Sequence, residues 1–503
     1  MLAAFAVVSV WVLALDLWQV LAHARVWTGT DGVYLVDQMQ YLAWIRDSSR
    51  HVLVSNLFVL RATSADYFQP LVVISGAVSA LGVAPWLSLL LWKPVAVGTS
   101  FFAVRAYVHR SLPGRWARRV ALVLALFFGS FTIVYGSFGV LGDLFPGFLS
   151  WGYVFGLIAL AAMVGALVAY ERAREGNRLR WMPALLGGLA SLVHPWNGEL
   201  LILLVIGSEL VLRVGRGRCG RPWRLVLPAV TTTVTAAPLA YYAILGQTDV
   251  SWQLAREASK HAFSFFSIAL AIAPLLLPAM IAYRGRPESF LAAATRAWPI
   301  AAFALFALSG TDLGATPLHA FQGITIPLAI LAVEGIQRAG YRQLPYRMAI
   351  GTLAVALLTI PATALELSDA RKLLAPSAEN GNFITPDERA ALDYLAHDRA
   401  PGGVLTRSYL GAVIPGWTGR HTLVGDCVWS EPHCLGSTRV AQTLFDGTLG
   451  QDAARSFVQR SGARFLLADC QASADLKKLL GPIIGSVQRF GCAAVYEIRA
   501  VRT

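Results

Sequence analysis

Long apolar runs separated by short polar loops make up most of the sequence up to about residue 367. Most of these runs are near the length that spans a bilayer as a helix. They lie at residues 2–22, 85–107, 120–136, 152–170, 183–193, 198–212, 225–245, 263–283, 299–309, 320–336 and 348–367. The pattern predicts a polytopic α-helical membrane protein with about 11 transmembrane helices.

A further apolar stretch, residues 70–82, does not fit a complete crossing. Together with the run that follows, it is too long for one transmembrane helix and too short for three. Gly82 and Pro85 interrupt it, and both residue types end helices. We therefore expect residues 70–82 to form a re-entrant or tightly paired half-helix that is broken between Gly82 and Pro85, with one full crossing after it.

The pattern changes near residue 369, where charged residues, Gly and Pro become more frequent. Short apolar runs then alternate with helical patterns, which is typical of a small α/β domain. The apolar runs are residues 402–406, 421–425, 464–470 and 493–498, and the helical patterns are residues 437–445 and 452–460. We therefore predict a transmembrane domain at 1–368, with a first external loop at 23–69, and an α/β domain at 369–503 that begins with a linker or first turn at 376–388.

Composition and charge support this class of protein. With 56% hydrophobic and 14% charged residues, the chain is not an ordinary soluble multidomain protein. The net charge of +13 does not indicate nucleic acid, because the basic residues cluster in loops between alternate apolar runs, as cytoplasmic loops do. These loops are residues 109–119, 171–180, 213–224, 284–296 and 338–347.

The orientation of the chain follows from these loops and from the first helix. We expect residues 1–22 to remain as an uncleaved helix that begins inside; the alternative is a signal peptide, for which "AHA" at 22–24 resembles a cleavage site. With the N-terminus inside, the loop at 23–69 and the C-terminal domain face the outside.

Four of the five cysteines lie in the C-terminal domain, at Cys427, Cys434, Cys470 and Cys492. An even number in a compartment predicted to be external favours two disulfides. Pairing in sequence order is the simplest arrangement, although four cysteines allow three connectivities and reduced thiols are the alternative. A zinc site is less favoured, because His433 adjoins Cys434 rather than standing at a ligand spacing. Cys219, in a predicted cytoplasmic loop, is expected to be a free thiol.

Acidic and polar residues gather in the loops predicted to be external, and ionisable groups near a membrane commonly mark functional sites. His194 and Glu199 interrupt apolar runs beside Pro195. A tight turn at that depth lines a polar cavity or is buried in protein. The alternative is a plain turn between helices, in which His194 and Asn197 cap helix ends.

Asp37 begins the stretch "DQMQYLAWIRD", in which Tyr41, Trp44 and Ile45 recur at helical spacing. This spacing predicts an amphipathic helix along the outer interface. A carboxylate at the start of such a helix is stabilised by unpaired backbone N–H groups. Asp37 is therefore expected to be a helix cap, and also, because it stays ionised, a candidate general base or metal ligand.

The order of these features resembles that of the GT-C membrane glycosyltransferases, which include protein O-mannosyltransferases and aminoarabinose transferases. Those enzymes carry an acidic motif in the first external loop, often Asp-Glu followed by a Tyr and an Arg, and a Pro-Leu at the next apolar run. The matching residues here are Asp37, Gln38, Tyr41, Arg46 and Pro70–Leu71, with Asp143 as a second external Asp. The resemblance covers the organisation of residues 1–340, and Gln38 stands where the family has its second acidic residue.

The resemblance implies an inverting transferase that moves a sugar from a polyprenyl-phosphate-linked donor to an envelope glycan, lipid or protein, outside a bacterial plasma membrane. Asp37 is the expected base, and Asp31 is the next candidate. A divalent metal or cationic side chains would meet the phosphate. The candidates for contacts with the phosphate or the substrate are Arg46, Tyr41, Asp143, His194, Glu199, Arg256, Lys260, His261 and His319, and Trp196 and Trp252 are candidates for stacking on a sugar.

Two other classes of function remain open. A carrier or flippase would use the same external cavity without covalent chemistry, but it is expected to place polar residues near the membrane midplane in matching halves of the chain. The polar positions here are one-sided, which favours chemistry at the surface. A non-catalytic scaffold of envelope assembly would keep the fold and would not need an ionised Asp37.

Overall fold

The fold is described from a computed structural model of the chain. The description covers residues 1–31, 33–128, 144–176, 179–214, 223–258, 264–309, 317–339, 345–376, 379–430 and 434–499. Five residues that the sequence analysis singled out lie outside these ranges: Asp143, Cys219, Lys260, His261 and His433.

The described part of the chain up to residue 373 is almost entirely helical. Its elements are α1 (Leu2–His23), β1 (Val26–Trp27), α2 (Leu35–Ser48), α3 (Pro70–Ala80), α4 (Pro85–Leu90), α5 (Trp92–Ser111), α6 (Arg115–Phe127), α7 (Pro146–Leu149), α8 (Val154–Glu175), α9 (Met182–Val193), α10 (Pro195–Val214), α11 (Trp223–Thr248), α12 (Val250–Ala258), α13 (Phe265–Ala282), α14 (Phe290–Leu308), a 3₁₀ turn (Pro317–Phe321), α15 (Thr325–Arg338) and α16 (Pro345–Leu373). Each of the eleven predicted apolar runs overlaps one of these helices.

The remaining elements form a mixed α/β segment. They are β2 (Phe383–Ile384), α17 (Pro386–His397), β3 (Val404–Leu405), α18 (Ser408–Thr418), α19 (Cys434–Phe445), α20 (Gln451–Ser461), β4 (Phe465–Ala468), α21 (Leu476–Leu480), a 3₁₀ turn (Gly481–Ile483), β5 (Ile484–Phe490) and β6 (Ala493–Ile498). The apolar run 421–425 forms no strand of its own and contributes only a single bridge between Val404 and Thr422.

Six of the described segments are long and apolar enough to cross a membrane. They are Leu2–His23, Pro85–Ser111, Val154–Glu175, Leu225–Thr248, Phe265–Ala282 and Phe290–Leu308. Prolines inside α11, α13 and α14 are compatible with such spans, because neighbouring helices can satisfy the backbone groups that proline frees. The chain is a polytopic helical membrane protein.

The predicted half-helix is present as α3. Pro70 occupies its first position, and the side chain of Gln69 caps it by accepting from the Val72 N–H at 2.8 Å. The helix ends before Gly82, whose φ of +97° is in the left-handed region, and Pro85 begins α4. At 1.5 Å per residue α3 is roughly 16 Å long, about half of the hydrocarbon core. The predicted break between Gly82 and Pro85 is confirmed.

Two compact units can be distinguished by their internal contacts. Unit 1 consists of Met1–Trp11, Trp92–Ile244 and Lys260–Ala370, and unit 2 consists of Val12–Leu91, Leu245–Ser259 and Arg371–Thr503. The first loop and the C-terminal segment therefore share one unit. The predicted division of the chain at residue 368 stays a prediction.

Unit 1 is a helical bundle built around α8. This helix is buried along most of its length and packs against α5, α9, α10 and α14, while α13 packs against α15. Ion pairs join helix ends in the regions of the basic loops. Arg174 contacts Glu209 at 2.9 Å, and Glu334 pairs with both Arg296 and Arg338. Such pairing offsets the cost of placing charged side chains beside apolar helices.

Unit 2 joins the beginning and the end of the chain. Val26–Trp27 pairs antiparallel with Phe383–Ile384, and the Thr28 hydroxyl donates to the Gly381 carbonyl at 2.7 Å. The segment predicted as a linker at 376–388 thus contains a strand and the start of α17. A capping box formed by Thr385 and Glu388 fixes that start.

The four-stranded sheet of unit 2 has the order β3-β4-β6-β5. Strands β3 and β4 are parallel, and the other neighbours are antiparallel. Side chains of α19, α20 and α21, among them Phe445 and Val458, form an apolar core with this sheet. Disulfides join Cys427 to Cys434 and Cys470 to Cys492, the simplest of the predicted pairings.

Gly29 is predicted to be indispensable for the packing of α4. Its φ is +96°, and a Cβ added there would lie 2.1 Å from the Cβ of Trp86. We expect Gly29→Ala to lower the free energy of unfolding by about 1–3 kcal/mol or more, through both backbone strain and steric overlap, and so to lower the melting temperature. Gly82→Ala is the matched control, because Gly82 has φ +97° with nothing within 4 Å of its added Cβ. Equal effects in thermal unfolding would contradict the predicted overlap.

Candidate active site

Asp37 lies in the first turn of α2, two residues after the helix begins. The N-cap position belongs to Tyr34, whose side chain makes no capping hydrogen bond. The expectation that Asp37 is the cap is therefore wrong. The side chain is half-buried, and its position in the first turn lets the unpaired N–H groups of the helix stabilise a negative charge.

The prediction that α2 is an amphipathic surface helix is also wrong. The helix is buried on all sides from Gln38 to Ile45. It packs against α3, α4 and α18, all within unit 2. Polar residues such as Gln38 and Gln40 therefore lie inside the protein, and the apolar spacing of Tyr41, Trp44 and Ile45 reports only part of the buried surface.

Gln38 explains how the preceding loop is held. Its side-chain oxygen accepts from the Asp31 N–H at 2.6 Å, and its amide nitrogen donates to the Asp31 carbonyl at 2.8 Å. Asp31 is 3% exposed. Gln38, at the position of a second acidic residue in GT-C enzymes, here fixes the backbone of Asp31, a task that a carboxylate could not perform in both directions.

A third carboxyl group, that of Asp426, lies close to Asp37 and was missed by the sequence analysis. Asp426 is 2% exposed. Its Oδ1 accepts from the Val428 N–H at 2.9 Å, and its carbonyl accepts from the N–H groups of Trp429 and Ser430 at 3.1 and 2.7 Å. A backbone turn of this kind also occurs without any function. The proximity to Asp37 could not be inferred from sequence position.

The electrostatics of the two carboxyl groups are coupled. Burial, and then the negative charge of Asp37, raise the pKa of Asp426 to about 7. The backbone N–H groups of Val428 and Trp429 act in the opposite direction and are outweighed. Asp426 thus retains a proton at a pH where an exposed aspartate would have lost it.

Four aromatic side chains close a ring beside these carboxyl groups. Successive ring centroids are 4.5 Å apart for Trp44–Tyr67, 4.7 Å for Tyr67–Trp252, 5.0 Å for Trp252–Trp429 and 5.5 Å for Trp429–Trp44. These spacings are those of packed rings and leave no room for a sugar between them. Trp252, a candidate for stacking on a sugar, packs between Tyr67 and Trp429 and holds α12 against the first loop.

The same region contains a second carboxyl pair, Asp66 and Asp249. Burial, followed by the charge of Asp249, raises the pKa of Asp66. Asp249 also begins α12, because its Oδ1 accepts from the Trp252 N–H at 3.0 Å. The adjoining cavity has a volume of about 10 Å³, which suits a single water molecule rather than a substrate.

Unit 1 contains a separate polar cluster at the turn between α9 and α10. His194 is 4% exposed, and its Nε2 lies 2.9 Å from the Tyr153 hydroxyl. The His319 ring is 4.9 Å from that of His194 and 5.8 Å from that of Trp196. Asn197, which is fully buried, donates to Gln322 at 2.6 Å. The structure thus brings together the predicted residues His194 and His319.

Four buried polar atoms at and next to this turn have unfilled hydrogen-bonding capacity. Within the described residues, Ser191 Oγ, His194 Nδ1, Asn197 Oδ1 and Glu199 Oε2 have no hydrogen-bond partner. Buried polar groups are rarely left in that state without water or a ligand. The turn is therefore a candidate binding site in unit 1, although His194 also occupies the C-cap position of α9, and its role stays a prediction.

The remaining predicted residues are more scattered. Arg46 is in the last turn of α2, roughly 13 Å along the helix axis from Asp37. Tyr41 packs edge-on against Trp44, Glu199 follows the His194 turn on α10, and the exposed Arg256 lies 3.9 Å from Glu257 on α12.

Lys93 is a buried cationic residue that the sequence analysis did not single out. It is 4% exposed on α5 and donates to the Ser150 carbonyl at 2.9 Å.

Potential metal ligands converge at one place in the described residues. In those ranges, one group of three potential ligands converges, formed by Asp387, Cys470 and Cys492. Its two sulfurs are joined in a disulfide, so this group does not fit a metal ion. The carboxyl groups around Asp37 are not part of any such group in the described ranges.

The pKa of Asp426 predicts how stability depends on pH. Below about pH 4 this carboxyl is protonated in both the folded and the unfolded chain. As the pH rises to about 7, only the unfolded form loses its proton, so this group makes folding less favourable. We expect Asp426→Asn to match the melting temperature of the wild type near pH 4 and to exceed it at pH 8. The free energy of unfolding at pH 8 should rise by a few kcal/mol, at about 1.4 kcal/mol per pKa unit. Asp47→Asn, which removes another carboxylate, on α2 itself, serves as the control. Parallel curves of melting temperature against pH for Asp426→Asn and wild type would contradict the prediction.

Comparisons with known proteins identify the fold. No family model and no curated protein matches the sequence. Among solved structures, AglB, the oligosaccharyltransferase of Archaeoglobus fulgidus, is similar in two complexes. The form tethered with an acceptor peptide containing the NVT sequon has TM-score 0.56 and 13% identity, covering 99% of this chain and 74% of that chain. The form with an inhibitory peptide and a dolichol-phosphate has TM-score 0.52 and 14% identity, covering 97% and 72%.

ArnT from Cupriavidus metallidurans, bound to undecaprenyl phosphate, has TM-score 0.44 and 14% identity, covering 92% of this chain and 97% of that chain. AglB and ArnT are both GT-C membrane glycosyltransferases. The similarity to AglB shows a common fold, and the resemblance inferred from the sequence is confirmed at that level: this chain has a GT-C-like membrane fold.

Proposed function

We propose that this protein is a membrane glycosyltransferase that moves a sugar from a polyprenyl-phosphate-linked donor to an acceptor of the cell envelope. The observation that carries the proposal is the buried carboxyl group of Asp426, on which the charge of Asp37 acts, in a chain with a GT-C-like fold. Burying a carboxyl group beside a second one costs folding free energy. Such arrangements are typical of active sites, where the shifted pKa is used in catalysis.

The chemistry assigned to Asp37 is that of a general base. As the acceptor hydroxyl attacks the anomeric carbon, its oxygen forms the new glycosidic bond and its proton moves to the Asp37 carboxylate. The bond between the anomeric carbon and the phosphate oxygen breaks with its electron pair, so polyprenyl phosphate leaves. Attack from the side opposite the phosphate inverts the anomeric configuration. Asp31 is the second candidate base, although its backbone is held by Gln38.

The polar cluster of unit 1 is a candidate site for an anionic group such as a lipid phosphate. His194 and His319 offer ring N–H groups that can donate hydrogen bonds to an anion, and the unfilled Nδ1 of His194 supports a ligand there. The unfilled Oδ1 of Asn197 is an acceptor and would suit a hydroxyl group. Glu199 and Arg256 remain candidates for contacts with the sugar or the headgroup. AglB has been captured with a dolichol-phosphate, and this supports a lipid-linked donor for a chain of the same fold.

The reaction is assigned to the outer face of a bacterial plasma membrane. The two disulfides of unit 2 support this assignment, because disulfides persist in oxidising compartments outside the cytoplasm. The clustering of basic residues in alternate loops of the sequence, as in cytoplasmic loops, agrees with it. The C-terminal α/β segment, 369–503, would then be extracytoplasmic and would stand on the side of the acceptor.

A carrier or scaffold of envelope assembly is the alternative function. It would retain the membrane fold without needing an ionised carboxylate at position 37. The coupling of Asp37 to Asp426 favours the enzyme over a scaffold, because a scaffold has no use for a carboxyl group that is costly to bury. The one-sided polar positions of the sequence favour the enzyme over a carrier.

Asp37→Asn separates these functions. We expect cells that carry this variant, at wild-type membrane levels, to lose the same glycosylated product as a deletion strain and to accumulate the unmodified acceptor. The product should fall by a factor of roughly 100 or more, because the general base is removed. The measurement is a mass-spectrometric profile of glycans and glycolipids. Asp47→Asn, on the same helix, is the control, and a wild-type profile from Asp37→Asn would favour the carrier or scaffold.

The cluster in unit 1 predicts a separate effect on the donor. His194→Gln should weaken the binding of undecaprenyl phosphate by about tenfold, the equivalent of about 1.4 kcal/mol, because the flexible amide of Gln does not hold its N–H donor where the imidazole ring of His194 holds it. Asp37→Asn should leave this binding unchanged. Binding is measured on purified protein in detergent, with His51→Gln as the control, since His51 is a half-exposed histidine that pairs with Asp47. Equal affinities for wild type and His194→Gln would remove His194 from the donor site.

A further inference from the structure

Unit 2 contains an apolar pocket with a volume of about 150 Å³, and its lining includes neither Asp37 nor Asp426. The walls come from the first loop, α2, α4 and α18. We propose that this pocket binds an acyl chain of the acceptor, so that the acceptor is a bilayer lipid rather than a soluble glycan or a protein. This inference rests on the proposed function and narrows the class of its acceptor.

The lining of the pocket consists mainly of carbon atoms. Met39 and Leu42 of α2, Pro85 of α4 and Val413 of α18 line it, and none of these side chains carries a hydrogen-bonding group. A sugar or a peptide that enters a closed site needs polar partners there, because its own polar groups lose their water. An alkyl chain needs no such partners and gains free energy from leaving water.

The polar groups of two other lining residues are already used inside the protein. The Thr28 hydroxyl donates to the Gly381 carbonyl at 2.7 Å. The indole N–H of Trp417 donates to Asp393 Oδ1 at 2.8 Å. These two residues therefore present mainly their methyl group and ring carbons to a ligand, which adds to the apolar character of the pocket.

Close contacts behind the lining hold the walls in place. A Cβ added to Gly29 would lie 2.1 Å from the Cβ of Trp86, and the Trp27 and Trp86 rings are 5.3 Å apart. A Cβ added to Gly416 would lie 2.9 Å from the Cβ of Leu42, so α18 lies directly against α2 beside the pocket. An unfilled apolar cavity costs folding free energy. A pocket whose walls are fixed in this way favours a ligand that fills it.

The size of the pocket suits a short segment of a lipid chain. An apolar cavity of about 150 Å³ takes up benzene, and a few methylene groups of an acyl chain contain a similar number of carbon atoms. A hexose with its hydroxyl groups is larger than benzene. The pocket therefore fits a segment of chain better than a sugar ring.

The pocket adjoins a segment that is expected to face lipid. Pro85 begins a span that is long and apolar enough to cross a membrane, and Ala84 and Trp86 line the pocket on either side of it. In the same segment, Leu81 is 87% exposed and Leu91 is 55% exposed. Large exposed apolar side chains of a membrane protein mark surface that lipid covers. A lipid chain can thus reach the pocket along an apolar surface.

The pocket and Asp37 lie on different faces of α2. Met39 and Leu42 are rotated by roughly 200° and 140° from Asp37 around the helix axis, and the helix is about 10 Å across. An acceptor whose chain lies in the pocket must therefore present its hydroxyl about 10 Å away, beside the first turn of α2. A lipid meets this requirement, because its head group is separated from its chain.

The chain assigned to the pocket is an acyl chain rather than the isoprenoid tail of the donor. The candidate site for the donor phosphate lies in unit 1, whereas every residue that lines this pocket belongs to unit 2. Unit 2 also carries Asp37, which takes the proton of the acceptor in the proposed reaction. The pocket is therefore matched with the acceptor.

The test uses full-length protein in vesicles of phosphatidylethanolamine and phosphatidylglycerol with a trace of phosphatidylglycerol that carries a diazirine in its acyl chain. After illumination, labelled residues are mapped by mass spectrometry. Met39, Leu42 and Val413 are 1%, 3% and 1% exposed, so lipid outside the pocket does not reach them. We expect label on these residues. A wild-type protein without label at the pocket would overturn the proposal.

Ala84→Leu fills the pocket from α4. Ala84 is extended, with ψ 140°, a conformation that Leu also adopts before a proline. We expect the label on Met39 and Val413 to fall about tenfold at an unchanged melting temperature. If Ala84→Leu melts lower, Val413→Ile, which adds one methyl group from α18, replaces it. Ala80→Leu, the same substitution at an exposed position of α3, is the matched control, and equal losses of label in both Ala→Leu variants would contradict the assignment.

A second arm replaces the probe with undecaprenyl phosphate that carries a diazirine in its chain. We expect this probe to leave Met39, Leu42 and Val413 unlabelled. Label from the isoprenoid probe without label from the acyl probe would assign the pocket to the donor and overturn the inference.

The chemical nature of the product separates this inference from the proposed function. We expect the glycosylated product that a deletion strain lacks to extract into chloroform and methanol and to release fatty acids on alkaline hydrolysis. A missing product that is a soluble glycan or a glycoprotein would overturn the lipid acceptor and leave the proposed function intact. If the acyl probe labels the pocket but the deletion strain lacks no glycosylated product, the pocket stands as a lipid site and the proposed function fails.

Discussion

Helix α2 packs against other parts of unit 2 on every side, and the arrangement of that unit follows from this constraint. Polar groups inside a protein need partners, so each face of the helix is matched by a different segment: α3 and α4 from the first part of the chain, and α18 from its end. Gln38 binds the backbone of Asp31, while Trp44 meets Tyr67 and Trp429. A helix of 14 residues that is marginal in isolation becomes fixed because three segments need its surface.

This burial also sets the energetics of the candidate site. The carboxyl group of Asp37, in the first turn of this helix, is half-buried, and its charge acts on a second carboxyl group, that of the buried Asp426. The fold compensates with many contacts elsewhere, among them the aromatic ring and the disulfide next to Asp426. The arrangement is costly for folding, so the stability of the protein and its dependence on pH report on both residues.

Sequence patterns predicted the elements that depend on local chemistry. The apolar runs, the half-helix before Gly82 and the simplest disulfide pairing all follow from spacing and residue type. The amphipathic character assigned to α2 was wrong because periodicity shows which residues are apolar, not whether polar ones such as Gln38 are also buried. Asp37 was recognisable from its place after the first apolar run. Asp426 was not, because its role depends on a contact between distant segments, and its turn resembles many turns that have no function.

The turn at His194 could be predicted from the sequence only in part. Pro195 within an apolar region signalled a polar turn, and the structure adds Tyr153, Asn197 and Gln322 as neighbours. The hydrogen bond between Asn197 and Gln322 joins segments that share no sequence pattern. Partners that are distant in the sequence, such as Gln322, cannot be inferred from a single sequence. A polar residue in an apolar region, such as His194, can be recognised from the sequence as one that needs a partner.

The ties between β1 and β2 have a consequence for synthesis. Thr28 and Gly381, which share a hydrogen bond, are 353 residues apart. At about 5–20 residues per second, the ribosome needs roughly twenty to seventy seconds to make the intervening chain. During that time, the segment around α2 waits without the α18 surface that later covers it. Closure of unit 2 is thus a late event in biogenesis, and a chain that terminates early would leave the membrane helices in place with an unpaired, aggregation-prone first loop.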